Sequence, residues 1–407
     1  MSSIEEIRSD FPQLQEKVYN KPLVYLDNAA TSLRPRSVIA KWDEMSSRYN
    51  ANLHRAVHAM AARATEEFEE ARAAVARFLG AGSPREIVFT SGTTQALNLL
   101  AFCLGEKKNF LRPGDEIIIG EEEHHSNILP WQFLAERKLV KIKVLPVDER
   151  GALRIGELPR LITDRTRICC VAQVSNVLGL INPIPEIASE CHSARVLLVV
   201  DGAQGAVHCK TDVNALGADF YVFSGHKLYA APGTGVLWGK KALLDSLPPY
   251  MGGGEMISTV KWSGSTFAPV PYKFEAGTQN MAGVPTLVPA IAETLRFRSY
   301  PELEGVKRYM LDALAEIPGL RLFGIPEDPK EKIPLFSFTV DGAHHEDLAL
   351  ILDKMGIALR SGQMCAEPLM DRYSVTGMLR ASFAPYNTQE EAEYFIKSLK
   401  KAIKMLK

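Results

Sequence analysis

No run of apolar residues in this 407-residue chain is long enough to read as a membrane-spanning helix, so a membrane partner is not expected. The opening residues, Met1-Ser-Ser-Ile-Glu-Glu-Ile, are acidic and have no apolar centre. They resemble neither a secretory signal nor a basic transit peptide, and a cytoplasmic location is the expectation. Cysteine is scarce: the six, at 103, 169, 170, 191, 209 and 365, show no paired metal-ligand spacing. In a reducing cytosol they stand as thiols, so neither a metal centre nor a disulfide framework is expected. An excess of charge of either sign is also missing. The 47 basic and 48 acidic residues leave a net charge of -1, which removes the compositional grounds for a nucleic-acid or anionic-membrane surface and leaves small molecules and proteins as partners. Internal repeats and low-complexity tracts are absent as well.

What is present begins with length. A chain of this size exceeds what one core usually supports, so two domains are the natural expectation. From about residue 85, short β-rich runs alternate with longer helical patterns, the arrangement of an α/β fold whose mostly parallel sheet is covered on both faces. Seven strands are expected at 86–90, 116–120, 141–145, 167–174, 195–200, 219–223 and 235–238, several of them apolar almost throughout. Cys169 and Cys170 lie in such a run and read as core. Beyond residue 285 the pattern changes to amphipathic helices at 301–316 and 388–406 with strands at 335–340 and 378–383, as in a smaller α+β domain. The boundaries expected are 20–285 for the large domain and 286–407 for the small one, with residues 1–19 packing on the latter. Residues 248–280, rich in Gly, Pro and Thr, read as a long loop, and such a loop is usually functional or interfacial.

Two stretches one strand apart carry the chemistry: Val199-Val-Asp201-Gly-Ala-Gln204 and Phe223-Ser224-Gly-His226-Lys227. Alone, either is compatible with an aspartate ending a strand or a solvated lysine on a turn. Together they hold what pyridoxal phosphate requires: Lys227 for a Schiff base, Ser224 and His226 for the phosphate, and Asp201 to keep a pyridinium nitrogen protonated. In open α/β sheets ligands gather at the carboxyl ends of the strands, where both stretches lie. The segment Thr90-Ser91-Gly92-Thr93-Thr94 closes a strand and opens a helical pattern, so Thr93 and Thr94 stand at a helix N-terminus suited to phosphate. A hydroxyl there is commonly just an N-cap; beside a Schiff-base lysine the phosphate role is preferred. His124 and His125, in Glu123-His124-His125-Ser126-Asn127, follow another strand at the same edge, where one of them could stack on a ring, although a His pair at a helix start is equally compatible with a solvated or capping role. Asn176, in Val174-Ser-Asn176-Val-Leu-Gly179, and Gln204 present amides to the cofactor or substrate, although either could be a turn residue. Cys365 differs from the other cysteines in lying among Arg360, Ser361, Gly362 and Gln363 rather than in an apolar run.

These motifs, with Leu26-Asp27-Asn28-Ala29-Ala30, Asn52-Leu-His54-Arg55, Phe274-Glu275-Ala-Gly-Thr278 and Arg360-Ser-Gly-Gln-Met-Cys365-Ala, resemble over nearly the whole chain the class V branch of fold-type I pyridoxal-phosphate enzymes, and specifically the SufS-type, group II cysteine desulfurases. The resemblance implies that Lys227 carries the cofactor, that Asp201 and Gln204 hold its ring, and that His124 stacks on it and serves as an acid/base. It implies that Thr278 reaches the phosphate of a partner subunit in an obligate homodimer. Arg380, in Leu379-Arg380-Ala-Ser382, would anchor the substrate carboxylate with help from Arg360, and Cys365 would take sulfur from L-cysteine as a persulfide and pass it to an acceptor protein of the iron–sulfur assembly machinery. Arg360 and the glycine-containing loop would favour ionisation and reach of that thiol. One departure stands out. Many SufS-type members carry Thr and two His before the cysteine, where this chain has Ser361, Gln363 and Met364. The alternatives that remain are a selenocysteine lyase acting on L-selenocysteine, another class V lyase, and a non-catalytic sulfur-carrier scaffold, which would not need an intact lysine site.

Overall fold

The seven apolar runs pair into one sheet in the computed structural model, which describes residues 3–54, 57–298 and 300–406. Arg55 of the Asn52–Arg55 motif lies outside the described residues. The strands are β1 (Ile87–Thr90), β2 (Glu116–Gly120), β3 (Lys141–Leu145), β4 (Thr166–Ala172), β5 (Leu197–Asp201), β6 (Phe220–Ser224) and β7 (Gly235–Gly239), in the order β1-β7-β6-β5-β4-β2-β3. Only β7 runs against its neighbours; the other pairings are parallel.

The continuous apolar runs of the inner strands arise because each of these feeds a core on either side. Along β5, Leu198 and Val200 enter one buried cluster and Val199 the opposite one, and the adjacent Cys169 and Cys170 of β4 divide in the same way. This is the two-residue period of a pleated strand. Each fully buried valine contributes roughly 1.5–3 kcal/mol, and neither face tolerates a polar residue cheaply.

A second sheet is built from β8 (Leu320–Phe323), β9 (Leu335–Val340), β10 (Arg360–Gly362) and β11 (Met378–Ser382), antiparallel throughout in the order β8-β9-β11-β10. Helices Glu302–Ala315, His345–Lys354 and Gln389–Leu406 cover it. The last begins where Thr388 Oγ1 accepts from Glu391 N and buries Ala392, Phe395, Ile396, Leu399, Ala402 and Ile403 on one face. Near the N-terminus, Phe11 packs on Tyr229, Phe297 and Tyr386, while Arg8 pairs with Glu391, so this segment touches both units. The short strand Val24–Tyr25 adds in parallel to Ile357–Ala358 of the C-terminal unit, and Val24 and Leu26 join its core.

Three expectations need correction. The runs expected at 195–200 and 219–223 are shifted, so Asp201 and Ser224 are the last residues of β5 and β6 rather than the first beyond them. Arg195 has φ 59° and closes the preceding helix, which delays β5 to Leu197. Finally, residues 248–280 are not a plain loop. They include the antiparallel hairpin Ile257–Lys261 with Gly264–Phe267, exposed along most of its length. No helix among the described residues is long and apolar enough to cross a membrane.

Candidate functional site

The carboxyl ends of β1, β4, β5 and β6 converge on a cleft of about 200 Å³ lined by Thr93, Thr94, His124, Asn176, Asp201, Ser224, His226, Lys227, Arg360, Cys365 and Arg380. The sequence separates these residues by up to several hundred positions. Strand topology brings them together.

One end of the cleft is a nest of donors. Thr93 opens helix Thr93–Glu106, and Ser224 Oγ sits 2.8 Å from both the Thr93 N–H and the Thr93 hydroxyl. Thr94 and Ser126 hydroxyls are 2.7 Å apart, and His226 Nδ1 is 3.2 Å from Thr31 Oγ1. The close approach depends on glycine: a Cβ on Gly235, at the start of β7, would lie 2.3 Å from the Gly92 Cα. Helix N-terminal amides with hydroxyls and a neutral imidazole suit a phosphate monoester.

Beside this nest stand an amine and a carboxylate. Burial pulls the Lys227 amine down to about 8, with Asp201 working in the opposite direction. Burial raises the Asp201 carboxyl, while the Ala203 N–H, donating to Oδ1 at 2.8 Å, and Lys227 favour its charged form. A buried amine near 8 is partly neutral at physiological pH and can act as a nucleophile or base. Among the described residues no side chain hydrogen-bonds its Nζ. The segment before His124 is anchored by Glu123, whose carboxyl accepts from Ala172 N and Asn127 Nδ2, both at 2.7 Å. Burial, reinforced by Lys227, lowers His124 to about 4, so its imidazole is neutral. Its Nδ1 accepts from the Ser126 N–H at 3.0 Å. The ring proton therefore sits on Nε2, which leaves a donor.

The opposite wall is cationic. Arg380 is buried, gives one N–H to the Asn176 carbonyl at 2.8 Å, reaches Asp27 Oδ1 at 3.4 Å, and keeps an enclosed Nε–H without an acceptor. Burial lowers it to about 10. Arg360 approaches the other Asp27 oxygen at 3.7 Å. A buried guanidinium with a spare donor calls for an anion such as a carboxylate.

Cys365 is exposed, on the turn between β10 and helix Glu367–Tyr373. Met364 and Cys365 both have left-handed backbones, φ 51° and 55°. That conformation costs about 1–2 kcal/mol per non-glycine residue. Three hydrogen bonds hold it: Asn176 Nδ2 to the Met364 carbonyl at 2.9 Å, His125 N–H to the Cys365 carbonyl at 2.7 Å, and Glu367 N–H to His125 Nε2 at 3.0 Å.

Of the residues singled out from sequence, Gln204 and Thr278 stand apart from this lining. Gln204 is buried and gives its amide to the Ala29 carbonyl at 2.8 Å, and Thr278 is exposed. The departing residues of the cysteine turn have partners of their own. Ser361 Oγ meets His345 Nδ1 at 2.8 Å, Gln363 reaches Glu367, and Met364 packs into the core and the cleft wall. Sequence reasoning missed Asp27 as the acid between two arginines, Ser126 beside Thr94, and His125 as support for the cysteine turn. The acidic residue in Leu26-Asp27-Asn28 was visible, but its partners are over 300 residues away.

The class-V aminotransferase family model matches residues 24–395. The chain is 43% identical to a probable cysteine desulfurase of Vibrio cholerae serotype O1 over all of both proteins, and 45% identical to a cysteine desulfurase of Yersinia pseudotuberculosis over 99% of both. Its structure is similar to the S-sulfonic acid form of the cysteine desulfurase CsdA from Escherichia coli (TM-score 0.91, 39% identity, 100% and 99% of the chains) and to the apo cysteine desulfurase of Thermococcus onnurineus NA1 (0.93, 35%, 100% and 99%). With the family match spanning nearly the whole fold and such relatives aligned end to end, the chain belongs to the class-V aminotransferases and, among them, to the cysteine desulfurases.

Proposed function

We propose that the protein binds pyridoxal 5′-phosphate and converts L-cysteine to L-alanine, moving the sulfur to Cys365 as a group II, SufS-type desulfurase of the cytoplasm. The observation that carries this reading is an exposed thiol, Cys365, lining the same cleft as the buried amine of Lys227 and the buried guanidinium of Arg380. When bound, the cofactor supplies an electron sink for cleavage at the substrate's α-carbon.

The residues divide the remaining work. Thr93, Thr94, Ser224 and His226 would hold the phosphate, and the Asp201 carboxylate would favour a protonated ring nitrogen. Lys227 would carry the cofactor and, as a free amine, would move the substrate's α-proton, for which a pKa near 8 is suited. Arg380, with Arg360 at the rim, anchors the substrate carboxylate. His124 would cover the ring and offer its Nε2 proton. The Cys365 thiolate attacks the substrate sulfur; an S–S bond forms, the C–S bond breaks, its electron pair stays on carbon, and protonation there yields alanine. Asn176 and His125 hold the turn that presents the thiol. Gln204 would act through the Ala29 backbone, whose carbonyl takes its amide and which lines the cleft.

The reading extends to a homodimer in which Thr278 reaches the partner subunit's cofactor phosphate, to a sulfur-acceptor protein of iron–sulfur assembly, and to domains at 20–285 and 286–407, with residues 24–27 lending a strand to the smaller. Its test is an assay of alanine from L-cysteine in wild type and Cys365→Ala. The variant should still bind L-cysteine and shift the cofactor spectrum, release almost no alanine, and form no protein persulfide. Full alanine production by the variant would leave another class V reaction as the better account.

A further inference from the structure

A second cleft, of about 390 Å³, separates helix Gly205–His208 and Arg298 from residues 303–307 and 330–334. Its charged lining is Arg298, Lys307, Lys330 and Lys332 against one carboxylate, Glu304, and Lys307 already holds that at 2.8 Å. Lys332 is 1% exposed; its ammonium donates to the Leu178 carbonyl and lies 5.7 Å from the Phe336 ring. Arg298 donates to the Ala206 carbonyl at 2.8 Å, stacks 4.8 Å over Phe78, and has an enclosed Nε–H with no acceptor. Among the described residues neither cation has a carboxylate partner.

Buried charges in folded proteins are paired or neutralised. Lys332 can shed its proton, and burial together with Lys307 pulls it down to about 7. Arg298 is half-buried, with its Nε enclosed, and has no such escape, because a guanidinium stays charged throughout the physiological range. Two cations of separate elements, one unable to neutralise and carrying a spare donor, thus share a cleft whose only acid is spoken for. The size is in the range of small-molecule sites, and apolar residues such as Val207, Phe297 and Ile333 complete the walls.

We propose that this cleft binds a small oxyanion metabolite, its phosphate or carboxylate group held between Arg298 and Lys332. The two side chains also hold backbone carbonyls of segments that line the catalytic cleft: Leu178 lies two residues beyond Asn176, and Ala206 three beyond Ala203. An anion here would bear on both.

Isothermal titration of the holoenzyme, reduced with borohydride so that the cofactor stays on Lys227, with inorganic phosphate, pyrophosphate and malonate tests the site. Saturable binding of at least one probe is expected, one per chain, weakened about tenfold or more in Arg298→Gln and Lys332→Met and retained in Arg380→Gln. Phosphate against malonate separates a phosphorylated ligand from a carboxylate one. Arg298 is only partly buried, so Arg298→Gln carries the test if Lys332→Met does not fold. No saturable binding, equal affinity in wild type and Arg298→Gln, or binding lost in Arg380→Gln instead, would overturn the proposal. The titration is repeated on untreated protein, so failure of the cofactor reading does not decide this one.

Discussion

Glu122 is a carboxyl to which the fold leaves no solvent. Its Oε1 accepts from Asn182 at 2.5 Å, its Oε2 has no partner, and burial pushes it up to about 7 from 4.5. A carboxyl raised in the folded state stabilises fully below its unfolded value and loses that contribution as pH rises through the folded one, here between about 4.5 and 7. Glu122→Gln keeps the acceptor for Asn182 and removes the titration. At pH 8 the variant should be more stable than wild type by about 3 kcal/mol, with little difference at pH 4.5, in chemical denaturation at the two pH values. An equal gain at both would show that packing, not ionisation, is responsible. Asp201 is buried too, yet the Ala203 N–H and Lys227 favour its charge. Asp201→Asn preserves the acceptor and deletes the charge, so cofactor content should be retained while turnover of L-cysteine falls by about 10²-fold or more. Absorbance of the bound cofactor and alanine release read the two separately.

At the scale of elements, the start of β7 and the start of helix Thr93–Glu106 share space that only glycine allows. A methyl at Gly235 would displace the Gly92 backbone and with it the Thr93 amide that faces Ser224. Gly235→Ala should therefore destabilise the protein by about 1–3 kcal/mol and weaken cofactor binding more than a surface substitution of similar thermal cost. Melting temperature and cofactor titration on one preparation check it, and normal cofactor affinity would detach the glycine from the site. Strands buried on both faces were legible because their apolar runs are unbroken. Their ends were not, since Arg195 delays β5 by backbone conformation rather than by polarity. The hairpin Ile257–Lys261 with Gly264–Phe267 escaped notice because its residues alternate polar and β-branched with neither face buried, so no hydrophobic period marks it.

At the scale of the whole molecule, Trp262 at the hairpin tip is fully exposed, Val260 about two-thirds so, and Thr278 faces solvent in the single chain. Exposed apolar groups of this kind mark contact surfaces, in keeping with a dimer whose sites are shared. Each site would combine Lys227 of one subunit with Thr278 of the other. If so, Lys227→Ala and Thr278→Ala proteins, each impaired alone, should recover up to about one quarter of wild-type activity when unfolded together and reassociated at random, because half the dimers then own one intact site. Recovery no greater than the sum of the two, or an active monomer in sedimentation, would refute the shared site.

The amino-acid sequence by itself determined the chemistry and the sheet. Ser224, His226 and Lys227 fall within four residues, and Asp201 ends the preceding strand, so the roles proposed for them could be read from local spacing. Tertiary structure alone decided the rest. Asp27 meets Arg380 and Arg360 across more than 300 residues, Asn176 supports the Cys365 turn, and Glu122 and Lys332 are ordinary surface residue types until packing encloses them. Charge, proton affinity and the need for a partner depend on desolvation, and desolvation is set by what packs overhead from distant parts of the chain.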